Sequence, residues 1–211
     1  AVKQIKMERR RDKETGKRVE VPTHVPSKLQ YWCIIPDGED YLAGTSRGIV
    51  RISDTLVEET VCGAGMVSPL VRHDGSVWGL AKSRDTEQNT VFARTDGEWA
   101  PLAFFQKKRV KDMIQTRSGT VWVILDGDGA YRVTPGTAPE EAEHVQKGMN
   151  ITTVFEDTKG RIWVGFWGRG IAVLDDDRWT QYLGEDKSAI LNFAEDGDGK
   201  IWIATNEALW S

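Results

Sequence analysis

Few residues of this 211-residue chain are equipped for chemistry, and they do not cluster. The three histidines, His24, His73 and His144, are scattered, and His73 falls away from Asp112 in the repeat described below, so no histidine base stands beside that carboxylate. Asp126-Gly127-Asp128-Gly129 and Asp196-Gly197-Asp198-Gly199 look like cation loops, but neither has EF-hand spacing and both read as turns. Asp112 and Asn192 supply two oxygen ligands for a channel cation, with no third. Cys33 and Cys62 exclude a four-cysteine zinc site; they form one bridge in an oxidising compartment or remain two separate thiols. No metal and no cofactor is expected. The residues suited to binding are planar or polar: Trp167, Arg169, Arg47, Asp112, Asn192 and Tyr31. An indole for stacking, guanidinium forks and amide or carboxylate partners fit a sugar or another small polar ligand.

These residues share a frame set by tryptophan. There are nine, more than the six phenylalanines or the four tyrosines. Gly75-Ser76-Val77-Trp78, Gly119-Thr120-Val121-Trp122, Gly160-Arg161-Ile162-Trp163 and Gly199-Lys200-Ile201-Trp202 all read G-x-[IV]-W, spaced by 44, 41 and 39 residues. A degenerate copy, Gly38-Glu39-Asp40-Tyr41, lies 37 residues before Trp78 with tyrosine in the aromatic place. A period near 40 residues marks a repeat architecture.

Each copy has the same grammar. Ile151-Thr152-Thr153-Val154-Phe155 is a first strand, and Asp157-Thr158-Lys159-Gly160 a hairpin connection. Arg161-Ile162-Trp163-Val164 is a second strand, Gly168-Arg169-Gly170 a turn, and Ile171-Ala172-Val173-Leu174 a third strand. Trp179 to Leu183 is the fourth, and Pro139 to His144 forms at most one helical turn. Four antiparallel strands per repeat make one blade of a β-propeller. The fold class is therefore all-β, a propeller of five four-stranded blades at about 29–61, 62–106, 107–147, 148–185 and 186–211, in a single domain 1–211. The repeated tryptophan is a wedge between blades, its indole N–H seeking a partner.

The last copy has room after Trp202 for a second strand and a short third, Ala208-Leu209-Trp210. Residues 1–28 offer a basic hairpin, Lys3 to Arg10 and Arg18 to Val21, to supply the missing strand and close the ring. Five repeats also fit a segment of a larger propeller. Residues 1–20 hold eight Lys/Arg and four Asp/Glu, against a net charge of −4 for the whole chain. Acids are mixed in and no aromatics are interleaved, so a charged edge strand is expected rather than a nucleic-acid contact. No apolar run approaches the roughly 18 residues that span a bilayer.

Phe155 to Gly165 and Ala194 to Thr205 resemble the two-component-regulator propeller repeat, whose core reads E-D-x-x-G-x-[IV]-W-[IV]-G-T. Similarity extends over roughly residues 29–211, best in the last two copies, looser in the middle two and weakest in the first, which keeps mainly Gly38, Tyr41 and Ala43-Gly44-Thr45. That resemblance implies an extracytoplasmic sensor domain of a bacterial signalling protein, of a kind that often recognises glycan fragments. Streptogramin lyase and gluconolactonase-like propellers share a similar phrase, which leaves a metal-assisted enzyme as an alternative. The lyases' histidine and metal find no matching positions, and the lactonase-like cage finds two ligands, Asp112 and Asn192, but no third.

In the five-copy frame, ten residues before the aromatic stand Tyr31, Ser68, Asp112, Thr153 and Asn192. The loops between second and third strands lie on the same face and bring Arg47, Arg84, Asp128, Arg169, Trp167 and Asn206. A polar funnel with one exposed indole at the channel mouth is expected. The same side chains could instead satisfy backbone groups and water. Function accordingly points to a non-catalytic ligand-binding or sensor module, with a protein-interaction scaffold as the alternative partner class.

Overall fold

The glycine three places before each repeat aromatic sets the punctuation of the fold. Gly38, Gly75, Gly119, Gly160 and Gly199 have φ of 68°, 79°, 83°, 80° and 77°. These left-handed conformations are ones that other L-residues rarely adopt, so the glycine column marks five obligatory turns. The computed structural model describes residues 7–11, 18–22, 30–46, 48–53, 59–62, 67–82, 88–182, 184 and 187–211.

Strands β1 (Met7–Arg11) and β2 (Arg18–Pro22) pair as a two-stranded hairpin. Five antiparallel sheets follow in chain order. The first holds β3 (Tyr31–Asp37), β4 (Asp40–Thr45), β5 (Gly48–Ile52) and β6 (Glu59–Cys62). The second holds β7 (Val67–His73), β8 (Ser76–Lys82), β9 (Asn89–Thr95) and β10 (Glu98–Pro101). The third holds β11 (Val110–Gln115), β12 (Val121–Leu125), β13 (Ala130–Val133) and β14 (Glu143–Val145). The fourth holds β15 (Ile151–Glu156), β16 (Ile162–Phe166), β17 (Ile171–Asp175) and β18 (Arg178–Tyr182). The fifth holds β19 (Ile190–Glu195), β20 (Ile201–Thr205) and β21 (Leu209–Trp210). Single 3-10 turns occur at Ala103–Phe105 and Pro139–Glu141. Packing divides the chain into two compact units, residues 1–70 with 79–87, and residues 71–78 with 88–211.

The expected fourth strand of the last sheet is not among its described strands. The fifth sheet has three, and β1 and β2 bond to each other. Its outer strand β21 pairs with β20 through Ile203 with Trp210 and Ala204 with Leu209.

In the first unit, Cys33 and Cys62 belong to one sheet rather than to neighbouring repeats. The register runs Cys33 to Gly44, Gly44 to Ile49 and Ile49 to Cys62, so two strands separate them. Three inter-strand steps of about 4.8 Å hold their backbones far beyond the roughly 7 Å limit for a disulfide. An intramolecular bridge is ruled out.

The same sheet corrects the first repeat. Gly38 is the first residue of a two-residue turn closed by Asp37 and Asp40, whereas Gly75 is the second residue of the turn between β7 and β8. The copy is displaced by one residue. Leu42 is fully buried and Tyr41 is 49% exposed, so Leu42 and not Tyr41 takes the wedge position.

In the second unit the wedges behave as expected. Trp122 packs edge-on against Trp179 of the fourth sheet, with ring centroids 6.4 Å apart, in a core that joins Ile124 and Val145 to Ile151, Val164 and Leu174. Trp163 meets Phe193 of the fifth sheet at 6.1 Å. Trp78 meets Phe105, which in turn meets Tyr131 of the third sheet.

Two further columns bind this unit together. Asp157 and Asp196, six residues before their tryptophans, accept the indole N–H of Trp163 and Trp202, each at 2.8 Å. Both also accept backbone N–H groups of their own turns, from Lys159 and Arg161 and from Asp198 and Lys200. One residue earlier, a longer side chain reaches the preceding sheet. Gln115 accepts from Arg72 N–H (3.1 Å), Glu156 from Ser118 N–H (2.9 Å) and Glu195 from Thr158 N–H (2.7 Å). The Glu-Asp pair of the repeat thus fastens one turn to the previous sheet and the next to its own wedge.

Candidate functional site

In four of the five sheets the described loop between second and third strands bonds back to the residue preceding its own first strand. Asp126 N–H donates to Arg109 O (2.8 Å), Trp167 N–H to Asn150 O (2.9 Å) and Asn206 N–H to Ala189 O (3.1 Å). In the first unit Ser46 N–H donates to Gln30 O (2.9 Å). These loops and the first-strand starts therefore share one end of their sheets, as the repeat frame requires.

At that end four first strands carry a register shift, between Tyr31 and Cys33, Val110 and Asp112, Ile151 and Thr153, and Ile190 and Asn192. In the third and fifth sheets the extra residue turns two successive side chains away from the core. Val110 and Met113 are buried around Lys111-Asp112, and Ile190 and Phe193 around Leu191-Asn192. By this register Asp112, Thr153 and Asn192 hold the same place in their sheets, and Cys33 the corresponding place in its own. Tyr31 sits one step earlier, with Val110, Ile151 and Ile190, because the first copy is displaced.

Asp112 and Asn192 use their side chains alike. Met113 N–H donates to Asp112 Oδ1 (2.8 Å) and Phe193 N–H to Asn192 Oδ1 (2.9 Å). Part of the polar column therefore satisfies the backbone at the bulge. Burial holds the Asp112 carboxyl above its ordinary range, against the pull of the Met113 N–H and the nearby Lys111.

Trp167 is the most exposed aromatic side chain described, at 62%. Its backbone is held on several sides. Besides its bond to Asn150, it forms an isolated antiparallel bridge with Ala189. Gly168 N–H donates to Ser188 O (3.1 Å), and Phe166 N–H to Gly170 O (3.0 Å). Gly168 and Gly170, both at φ 67°, make the reversal that carries Trp167 and Arg169 outward. Arg169 is exposed, and its carbonyl accepts from Gln181 Nε2 (3.2 Å).

Other predicted members are bound into the scaffold. Asp128 Oδ1 accepts Gly148 N–H and Asp128 O lies 2.7 Å from His144 Nε2; Asn206 Oδ1 accepts Ala189 N–H. Arg47 and Arg84 lie outside the described residues, as does the side chain of Ser68. Tyr31 is exposed and belongs to the other unit. Leu191 and Lys111, both exposed at the bulge, were not singled out from sequence. The available signal was a two-residue interruption between buried apolar positions, as in Val-Lys-Asp-Met and Ile-Leu-Asn-Phe. Among the described residues no three His, Cys, Asp or Glu side chains gather closely enough to hold a metal ion. Among the described residues no helix is long and apolar enough to cross a membrane.

Residues 146–168 and 184–207 match the two component regulator propeller family, so the chain carries two copies of that repeat, where the sequence resemblance is best. No curated protein matches the chain in sequence. Among solved structures, the extracellular domain of BT4673 from B. thetaiotaomicron, a proposed one-component system, is similar at a TM-score of 0.64 and 16% identity. That similarity covers 85% of this chain and 26% of the BT4673 domain, so the chain spans about a quarter of its length. YCF48 from Cyanidioschyzon merolae is similar at a TM-score of 0.60 and 13% identity, covering 92% of this chain and 72% of that one. A structure of YCF48 bound to D1 peptide gives 0.59 and 15%, covering 92% and 68%. At these identities the likeness establishes the fold.

Proposed function

We propose that this chain is an extracytoplasmic sensor-type propeller domain that binds a glycan or another small polar ligand at the end of its sheets where Trp167 stands. The observation that carries the proposal is the presentation of Trp167: a large apolar ring left in water on a backbone fixed by three neighbouring segments. A prepaid, rigid indole stacks on a sugar face at little entropic cost. Arg169 adds planar donors beside it, and Asp112 and Asn192 add the carboxylate and amide of the same end. The repeat match and the extracellular BT4673 domain support both the sensor role and the location. The test is thermal stabilisation by a panel of neutral and acidic oligosaccharides. A stabilising glycan should lose its effect in Trp167→Ala and in Arg169→Ala, while both variants keep the unliganded melting temperature. An unchanged shift in both variants would remove the site.

A protein-interaction role is the second proposal, favoured by the exposed Leu191, Leu209 and Trp210 and by the peptide-bound YCF48 structure. Capture of a peptide partner that survives Trp167→Ala but fails in Leu209→Ser with Trp210→Ser would support it over glycan binding.

A further inference from the structure

At the other end of the same sheets a cleft of about 270 Å³ opens between the β7–β8 turn, strand β9 and residues 136–139. Trp78, Leu102 and Ala93 give it an apolar side, and Thr95 and Thr137 add oxygens. Among the described residues that line it, Asp74 is the one carboxylate and none is a lysine or arginine. Asp74 Oδ2 accepts Gly136 N–H (2.8 Å) and lies 3.2 Å from His73 Nε2. His73 Nε2 also faces the carbonyl of Thr137 at 3.3 Å. The imidazole is only 5% exposed, lies against Trp78 with ring centroids 4.6 Å apart, and its Nδ1 has no hydrogen-bond partner among the described residues.

We propose that this cleft is a second binding site, for a small organic cation: a primary ammonium on a short alkyl stem. The side chains of the wall offer acceptors and one negative charge, which among the described lining residues faces the His73 imidazole and no lysine or arginine. An ammonium has three donors and no acceptor, which matches that set. Asp74 keeps Oδ1 outside its bond to Gly136, and a charge-assisted contact there is stronger than one between neutral groups. The apolar wall takes the stem. A cleft of about 270 Å³ has room for a four-carbon amine. The Trp167 end makes no contribution to this site.

The test uses the whole chain, labelled with nitrogen-15, titrated with n-butylammonium chloride and separately with n-butanol. Millimolar butylammonium should move the indole N–H resonance of Trp78, which is bonded to Ser76 Oγ, and butanol at equal concentration should not. Asp74→Asn, whose side-chain oxygen can still accept Gly136 N–H, should weaken the effect about tenfold. Thr95→Leu, which narrows the mouth and leaves Asp74 in place, should weaken it too; if Asp74→Asn unfolds, Thr95→Leu decides. Trp167→Ala should leave the titration unchanged, so failure here is separate from failure at the glycan site. Equal responses to amine and alcohol, full binding by both cleft variants, or loss in Trp167→Ala would each overturn the proposal.

Discussion

Asp157 accepts the indole N–H of Trp163 at 2.8 Å from a carboxylate that is 1% exposed, and the same oxygen accepts the Arg161 guanidinium at 2.6 Å. Burial alone would raise this carboxyl. The hydrogen bonds from Trp163 and Arg161, with the Arg161 charge, outweigh burial and hold it below the usual range. A depressed folded value stabilises the protein above the unfolded value of about 3.9, and that contribution is lost as pH falls through the folded value. Asp157→Asn should therefore cost about 2 kcal/mol at neutral pH, since an amide offers N–H groups to donors. The deficit should shrink as melting is followed from pH 7 toward pH 3. A constant deficit across that range would mean that packing, not the ionised carboxylate, carries the effect.

Trp122 has the same place in the third sheet but lacks this acceptor: its Nε1 is buried with no partner among the described residues. Thr116 stands where the aspartate would be. Its turn has the same backbone bonds, with Gly119 N–H donating to Thr116 O at 3.0 Å as Gly160 does to Asp157 O. Thr116→Asp with Thr120→Arg should supply both the acceptor and its counter-charge. The expected gain is about 1 kcal/mol, with a downfield shift of the Trp122 indole proton. A lower melting temperature and an unmoved resonance would refute the equivalence of the two turns.

Asp112 and Asn192 offer the opposite case. Each accepts the next residue's N–H, at 2.8 and 2.9 Å, so an amide already fits this place in the fifth sheet. Burial raises the Asp112 carboxyl, which penalises the folded state once pH exceeds the unfolded value near 3.9. Asp112→Asn should therefore raise the melting temperature at pH 7, and the gain should vanish below about pH 4. If Asp112 contacts a ligand, the same variant weakens ligand-induced stabilisation while it stabilises the free protein. Thermal scans with and without the glycan separate the two effects.

The glycine column, the strand order and the wedge tryptophans were legible because each answers to a local rule: positive φ, alternation, a buried ring. The displacement of the first copy was not. Gly38 and Gly75 look alike in a pattern search, yet one opens its two-residue turn and the other closes it, which exchanges Tyr41 for Leu42 in the core. The polar column was visible as residues but not as a device. Its bonds to Met113 and Phe193 depend on the strand bulge, and a bulge is read from two consecutive outward side chains, not from composition. The exposure of Trp167 was legible because Phe166-Trp167 stands where the repeat continues from Gly165 with threonine.

The fourth and fifth sheets approach closely at Gly165. A Cβ there would lie 2.6 Å from Ile190 Cγ2 and 2.7 Å from its Cβ, and Ile190 is fully buried. Gly165 has no positive φ to explain its identity, so space alone selects glycine. Gly165→Ala should destabilise by about 1–3 kcal/mol through overpacking. The branched Cγ2 is shared by valine, so Ile190→Val should not relieve the clash, whereas Ile190→Ala removes that methyl and part of the obstruction. The double variant Gly165→Ala, Ile190→Ala should then be more stable than the sum of the two single losses predicts, by about 0.5 kcal/mol or more in a double-mutant cycle. Additive losses would place the strain elsewhere. Because Ile190 precedes Leu191 and Asn192 at the bulge, the clash should also reach the Trp167 end. Gly165→Ala is expected to weaken glycan binding without touching the ligand, and the relief at Ile190 should restore part of it.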